Sequence, residues 1–392
     1  MQDKKPTIAY IGQKGAPARW GGVERSAEEL AVRMARDGYT VIVYCREWYT
    51  QNTPAQYHGV ELVYTPSFRT KHLDTISHTF FSLVHALYRR ADVIHFQGIG
   101  PALLAWIPRL FAPHTKVLVT FHCLDRKLKK WGPLSRLVFW FGEFVTMNCA
   151  HEVFVTSRFL QDYCWQVWQR ALVYLPNGVF EDSKENISPD ILANFGVSAQ
   201  NYFVAVGRFM QDKAQHETIE AFVRMKDRGG DAVADIKLVF IGDADEGDFY
   251  RASLFEQAAG RDDIIFAGNQ TGVTLKTLMR FACGAVAPSY SEGMPLAVLE
   301  LAAFSVPLVL SDIPAHREIF GDAYVYSPVG DIERISRSME IIARNYDDVS
   351  MVARIQATRI AQHYRWEVIA ARYNVSVTEL ISVGIQGFPS QA

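Results

Sequence analysis

The chain has 392 residues, 49% of them hydrophobic and 21% charged, with 40 basic against 42 acidic side chains. Its length predicts two domains, and its composition excludes a disordered chain, a collagen-like fibre and a small disulfide scaffold. A net charge of −2 gives no global field for nucleic acid, so no nucleic-acid partner is expected and any anion site must be local.

Residues 7–11 are β-formers that end at Gly12, which predicts a buried parallel strand. A turn-rich loop follows, with Gly12, Gly15, Pro17, Gly21 and Gly22. Apolar Val23, Ala27, Leu30, Ala31 and Met34 then recur at helical spacing over 23–36, and Asp37-Gly38 stops the helix. A strand over 40–44 completes a strand, glycine loop, helix, strand unit of the doubly wound kind. Further strands are expected at 60–64, 93–96, 117–121, 152–156 and 172–175, with a helix at 77–90. The apolar run 99–112 is broken by Pro101, Pro108 and Arg109 and is too short to cross a bilayer. Pro176-Asn177-Gly178 is a breaker cluster, and polar 181–190 reads as an interdomain linker. A second series has strands at 202–206, 237–241, 264–266, 285–287 and 307–310 and a helix at 216–228, before a tail that frays after Gly384.

Two such series predict two Rossmann-like α/β domains, over 1–180 and 199–363, facing each other across a cleft. Ligands then bind beyond the carboxyl ends of the strands. The N-terminal MQDKKPTIAYIG has no apolar signal core. Five scattered cysteines form no C-x-x-C, so a reducing cytoplasm is expected rather than a zinc site or disulfide framework.

Chemistry-bearing residues gather just after strands. Ser291-Glu-Gly-Met-Pro-Leu-Ala-Val-Leu-Glu300 follows the strand 285–287, and Pro295 suits the first turn of a helix. Backbone N–H groups beyond Gly293 would present about half a positive charge, suited to a diphosphate. Glu292 and Glu300 stand about two helical turns apart. Carboxylates accept from paired hydroxyls, so one would meet a sugar and the other a ribose; alternatively Glu300 is an ordinary helix residue.

Arg208 and Lys213, in Val206-Gly-Arg-Phe-Met-Gln-Asp-Lys213, leave the strand 202–206 as a guanidinium fork and a point charge for phosphate oxygens. The alternative is two solvated cations. Gly21-Gly22 is not part of a G-x-G-x-x-G, so the dinucleotide fingerprint is absent, but the pair allows close backbone approach at a helix start. His122, at the end of the strand 117–121, can donate to a hydroxyl or polarise a group, or be a structural histidine. Asp125 would orient it or cap the next helix. Asp243-Ala-Asp245 is a metal-type pair without an evident third ligand and reads as a polar loop.

Together these residues resemble the retaining GT-B glycosyltransferases of family 4, over nearly the whole chain. The resemblance is carried by Gly21-Gly-Val-Glu24, Phe121-His122, Leu175-Pro-Asn-Gly178, Gly207-Arg208 with Lys213, Glu292 with Glu300, and Ser311-Asp-Ile-Pro-Ala-His-Arg-Glu318. IGQKGAPARWGGVE, VIVYCRE, KHLDTISHT and HCLDRKLKKWG resemble the rhamnosyltransferase-type members that build bacterial capsules and O-antigens.

The resemblance implies a nucleotide-diphosphate-sugar donor whose diphosphate is held by Arg208 and Lys213. It implies that Glu300 contacts the ribose and Glu292 the transferred sugar, with His122 beside that sugar. Gly293, Met294 and Leu296 belong to the implied donor-binding set, and the Gly21-Gly22 loop closes on phosphates and acceptor. His122, Arg208, Lys213 and Glu292 form the implied catalytic set, and neither metal nor other cofactor is expected. A C-terminal helix over 364–384, with Trp366 and Tyr373, is expected to cross back to the first domain. Three positions depart from the family pattern: Ala214 and Cys123 stand where glycine is usual, and Met294 where an aromatic or small residue is frequent.

The expected reaction is glycosyl transfer with retention, to a glycan or polyprenyl-diphosphate-linked acceptor. Arg208, Lys213 and helix-end amides would stabilise the departing diphosphate. No protein nucleophile is evident, so the acceptor hydroxyl attacks from the front face. Alternatives are a nucleotide-sugar epimerase of the same architecture and a non-catalytic nucleotide-sugar-binding subunit; a Rossmann dehydrogenase is the weakest.

Arg126-Lys-Leu-Lys-Lys-Trp131 precedes Leu134, Leu137, Val138, Trp140, Phe141 and Phe144. A basic cluster beside an apolar stripe predicts an interfacial segment over 126–144 on the inner leaflet of the membrane, against the alternative of a core helix. The expected location is the cytoplasm, with peripheral membrane attachment.

Overall fold

The computed structural model describes residues 5–19, 21–49, 54–70, 73–127, 132–179, 187–244 and 248–385. The chain divides into two compact units, one of Met1–Asn177 with Trp366–Ala392 and one of Gly178–Arg365.

The first unit carries strands β1 (Thr7–Ile11), β2 (Thr40–Arg46), β3 (Gln56–Tyr57), β4 (Val60–Thr65), β5 (Val93–Gln97), β6 (Lys116–Phe121), β7 (Glu152–Val155) and β8 (Val173–Tyr174). Their order is β3-β4-β2-β1-β5-β6-β7-β8. Every pairing is parallel except β3 with β4. On β1, Ile8, Ala9, Tyr10 and Ile11 are all fully buried. A strand covered on both faces reads as an unbroken apolar run, which is why its sequence does not alternate. Ile8 pairs with Val41 on one side and Val93 on the other, so chain order reverses between β1 and β5. The apolar run after β5 forms two short helices, Ile99–Ala102 and Trp106–Phe111, rather than one.

The last helix, Trp366–Ile385, belongs to this first unit. Trp366, Ile369, Ala370, Tyr373 and Val377 are buried along one side of it, at helical spacing. Its polar rim is tied down by Arg33 to Glu367 at 2.6 Å, and by Asn374, which donates to Asp37 at 2.6 Å and accepts from Tyr39 at 3.0 Å. The expected start at 364 is two residues early. Tyr364 caps the preceding helix Tyr346–His363, and its carbonyl accepts from the Val179 N–H at 2.6 Å inside the second unit.

The second unit carries β9 (Tyr202–Val206), β10 (Lys237–Ile241), β11 (Ile264–Phe266), β12 (Gly284–Ala287) and β13 (Leu308–Leu310), all parallel, in the order β11-β10-β9-β12-β13. Along β9, Tyr202 and Val204 enter a core with Leu278 and Leu299, while Phe203 and Ala205 enter another with Phe222 and Met339. This two-residue alternation places helices on both faces. Chain order reverses between β9 and β12. Of the expected linker 181–190, residues 181–186 lie outside the described residues. Its end is not irregular: Pro189–Phe195 is a 3₁₀ helix, capped by the Ser188 hydroxyl and anchored by buried Leu192. The five cysteines are free thiols.

Candidate active site

In the second unit the sequence-predicted residues sit where a doubly wound sheet binds ligands, beyond the carboxyl ends of β9 and β12 at the reversal of strand order. Gly207 and Gly242 end β9 and β10 in close contact. A Cβ on Gly242, at φ +136°, would lie 2.1 Å from the Gly207 carbonyl oxygen, so only glycine fits. Arg208 follows at once. Its carbonyl accepts from Gln215 Nε2 at 2.9 Å, and the next N–H, of Phe209, donates to Asp243 O at 3.0 Å.

The 3₁₀ turn Gln211–Lys213 then presents Lys213. Ala214, in the place where the resemblance leads us to expect glycine, caps the next helix at φ +57° and ψ +39°. That left-handed conformation is what favours glycine there.

The loop after β12 meets this turn. Tyr290 N–H donates to Asp212 O at 2.8 Å. Glu292 Oε1 accepts from Lys213 Nζ at 2.5 Å and from the Ser289 hydroxyl at 2.8 Å. Pro295 is the N-cap of the helix Leu296–Ala303 rather than part of its first turn. The orphan N–H groups are therefore those of Leu296, Ala297 and Val298. In this helix Val298, Leu299, Leu301 and Ala302 are buried, whereas Leu296, Ala297 and Glu300 share the half-buried side, continuous with Gly293 and Met294. Glu292 lies outside the helix, so two helical turns do not describe its relation to Glu300.

Sequence reasoning missed the support beneath Glu292. The Ser311 hydroxyl donates to Ser289 O at 2.6 Å, and buried His316 Nδ1 lies 2.9 Å from Ser311 O. This contact assigns the imidazole proton to Nδ1 and leaves buried Nε2 without a partner among the described residues. Burial lowers the pKa of His316, which keeps the ring neutral. Ser311 and His316 were visible only as members of a family-like stretch.

In the first unit, His122 follows β6 and is half-buried. Its Nε2 is 3.2 Å from Gln97 Oε1 at the end of β5, and its carbonyl accepts from the Thr156 hydroxyl at 3.1 Å. Burial lowers its pKa to about 4, so the ring is neutral at pH 7, with the proton assigned to Nε2 by the amide oxygen. Nδ1 is then left as an acceptor. Gln97 was not singled out from sequence. Asp125 opens a 3₁₀ turn, Asp125–Lys127, rather than the next long helix.

Gly21 caps the helix Gly22–Arg36 at φ +101°, where a Cβ would lie 2.0 Å from Glu24 Oε2. Glu24 folds back over the loop to accept from the Lys14 N–H at 3.2 Å, while among the described residues no side chain or backbone atom beyond its chain neighbours lies within 4 Å of where a Cβ on Gly22 would stand. Two stretches of the family-like N-terminal sequence also meet. Arg46 lies 2.8 Å from Asp74 and 3.2 Å from the Thr75 hydroxyl.

Asp243 Oδ1 accepts from Arg251 Nε at 2.5 Å and from the Ala244 N–H at 2.8 Å; Asp245 lies outside the described residues. Among the described residues no group of three or more His, Cys, Asp or Glu side chains is assembled, and no helix is long and apolar enough to cross a membrane.

The 126–144 segment differs from expectation at its basic end. Arg126 turns inward: its Nε lies 3.0 Å from buried Glu143 Oε1, and it also bonds the Tyr163 hydroxyl. Lys129, Lys130 and Trp131 lie outside the described residues. The apolar side chains from Leu134 to Phe144 named above are exposed, not core.

Residues 20–182 match the family described as Glycosyltransferase Family 4, and residues 191–358 the family described as Glycosyl transferases group 1. The putative teichuronic acid biosynthesis glycosyltransferase TuaC of Bacillus subtilis is 30% identical over 180 residues, 45% of this chain and 42% of TuaC. The chain thus spans under half the length of that curated relative. Sucrose-phosphate synthase from Thermosynechococcus elongatus superposes with a TM-score of 0.80 at 18% identity, over 97% of this chain and 100% of that one. Anabaena HepE, solved in complex with UDP and glucose, superposes with a TM-score of 0.77 at 16% identity, over 95% and 100%. The chain joins a domain of Glycosyltransferase Family 4 to one of Glycosyl transferases group 1, on the fold of the GT-B glycosyltransferases.

Proposed function

We propose that the protein transfers a sugar from a nucleotide-diphosphate sugar to a hydroxyl of a glycan or lipid-linked glycan, with retention, in bacterial cell-surface polysaccharide synthesis. The observation that carries this reading is the Lys213–Glu292 pair at the β9/β12 reversal, with Arg208 and the first turn of Leu296–Ala303 on the same ends. Family membership of both domains supports it, as do TuaC's printed role and HepE's UDP and glucose.

An ammonium has three donors. One is engaged by Glu292, so two remain for diphosphate oxygens, and Glu292 keeps Oε2 for a sugar hydroxyl. The bond from the anomeric carbon to the diphosphate breaks as the acceptor oxygen bonds that carbon. The acceptor proton leaves on the released nucleoside diphosphate. Arg208, Lys213 and the orphan amides stabilise the charge that develops there. Glu300 takes the ribose, neutral His122 contacts the transferred sugar, and the Gly21-Gly22 loop approaches phosphates and acceptor. Within this reading the N-terminal stretches quoted above favour a member of the rhamnosyltransferase type.

The test is a turnover screen across UDP-, GDP- and dTDP-sugars, with NMR of the product anomer. Release of nucleoside diphosphate that depends on an acceptor, with the anomeric configuration kept, is expected. An epimerised nucleotide-sugar, or tight binding without turnover, would replace this reading with one of its alternatives.

A further inference from the structure

We propose that the first unit docks on an anionic lipid surface through the outward faces of three helices, Trp106–Phe111, Pro133–Cys149 and Arg158–Trp168. This surface stands on its own observations and does not depend on the donor assignment.

A helix packed on a soluble domain turns its apolar side inward. Pro133–Cys149 does so through Phe139, which packs on the core, and through Val145 and Met147, which are buried. Leu134, Leu137, Val138, Phe141 and Phe144 recur at helical spacing on its outer side, and Leu134 is 76% exposed. The surface extends to both neighbours. Trp106–Phe111 packs beside this helix and exposes Leu110 at 68% and Phe111 at 74%. On the other side Trp168 lies 6.1 Å from Trp140 and 6.3 Å from Phe144, ring centre to ring centre, and Trp165 is exposed one turn earlier. So large a contiguous apolar area marks an interaction surface rather than scattered exposure.

Charge selects the occupant. Exposed Arg109, Arg136 and Arg158 lie on these three helices against one exposed acid, Asp162. The other carboxylate, Glu143, is buried and bound to Arg126. Tryptophans and leucines on helices that expose three arginines and one acid, with Glu143 withdrawn, match the headgroup region of an anionic leaflet. Of the basic residues anticipated from sequence, Arg126 contributes less than expected, because it is turned inward.

The test is co-sedimentation of the full-length protein with phosphatidylcholine vesicles, with and without phosphatidylglycerol. Quenching of tryptophan fluorescence by brominated lipid reads contact directly, without a substitution. Two variants are compared, Leu137→Glu with Phe141→Glu, and Leu110→Glu with Phe111→Glu, each checked for an unchanged melting curve. The wild type is expected to bind the anionic vesicles with quenching, and each variant to bind at least about tenfold more weakly. Absence of wild-type binding and quenching would overturn the proposal. So would equal binding by folded variants, or a wild-type dimer that the substitutions dissociate, which would make this face a contact between copies of the chain.

Discussion

Lys213 Nζ and Glu292 Oε1 stand 2.5 Å apart across 79 positions of sequence, joining the end of β9 to the end of β12. The cation proposed for the diphosphate and the carboxylate proposed for the sugar are therefore one unit, half-buried on the lysine side. Ser289 holds the carboxylate from behind, and Ser311 holds the Ser289 backbone.

Arg208→Ala and Lys213→Ala should each lower kcat/KM by about 10²–10³, with the loss visible in kcat as well as in donor affinity. Because Lys213 and Glu292 act together, Lys213→Ala combined with Glu292→Gln should lose less than the product of the single losses. Steady-state kinetics with the donor found in the screen reads both effects. Retention of more than half the wild-type kcat/KM in either single alanine variant would remove the phosphate assignment.

Activity should persist in excess EDTA. Arg208, Lys213 and the first turn of Leu296–Ala303 supply positive charge at the leaving group, and Asp243 is engaged by Arg251. Turnover that disappears with chelator and returns with Mn²⁺ or Mg²⁺ would bring Asp243 and Asp245 back as ligands.

Gly242→Ala should cost about 2–4 kcal/mol and weaken catalysis, since its Cβ meets the Gly207 carbonyl that leads into Arg208. Gly196→Ala, in the left-handed α conformation at φ +63° and ψ +28° with only the end of the flexible Lys237 side chain near its Cβ, should cost only about 1 kcal/mol. Urea unfolding of the two variants decides it, and equal losses would show that the Gly207–Gly242 contact is not what constrains this turn.

Stability should fall as pH drops from 6.5 towards 4. Burial lowers His78, His122 and His151 to about 4 and His95 to about 3. In that window the unfolded chain binds protons that the folded one refuses, so the stability present above pH 6.5 is lost on acidification. For His78, fully buried, the contribution is on the order of 3 kcal/mol. Melting temperatures measured across this range should decline with falling pH, and His78→Asn should flatten the decline. A flat wild-type profile would contradict the burial of these imidazoles.

The fold was legible because its signals are local. Buried parallel strands such as 7–11 and 202–206 are short apolar runs that stop at glycine, and each lies in the structure where its run predicts. Boundaries failed where a signal was shared: Pro295 reads as a first-turn proline yet serves as the cap. The polar end of the expected linker forms a 3₁₀ helix because Leu192 finds a core.

By itself the sequence determined the two βα series and the strand-end positions of Arg208, Lys213, Glu292 and His122, since these follow from periodicity and punctuation along the chain. Only the tertiary structure decided which of them touch. The Lys213–Glu292 pair, the His316–Ser311–Ser289 support and the Gln97 contact to His122 each join segments brought together by strand order, which no local pattern encodes. It also decided which side of Pro133–Cys149 faces outward: helical spacing fixes that a stripe exists, but only the packing of neighbouring helices determines whether the stripe is covered.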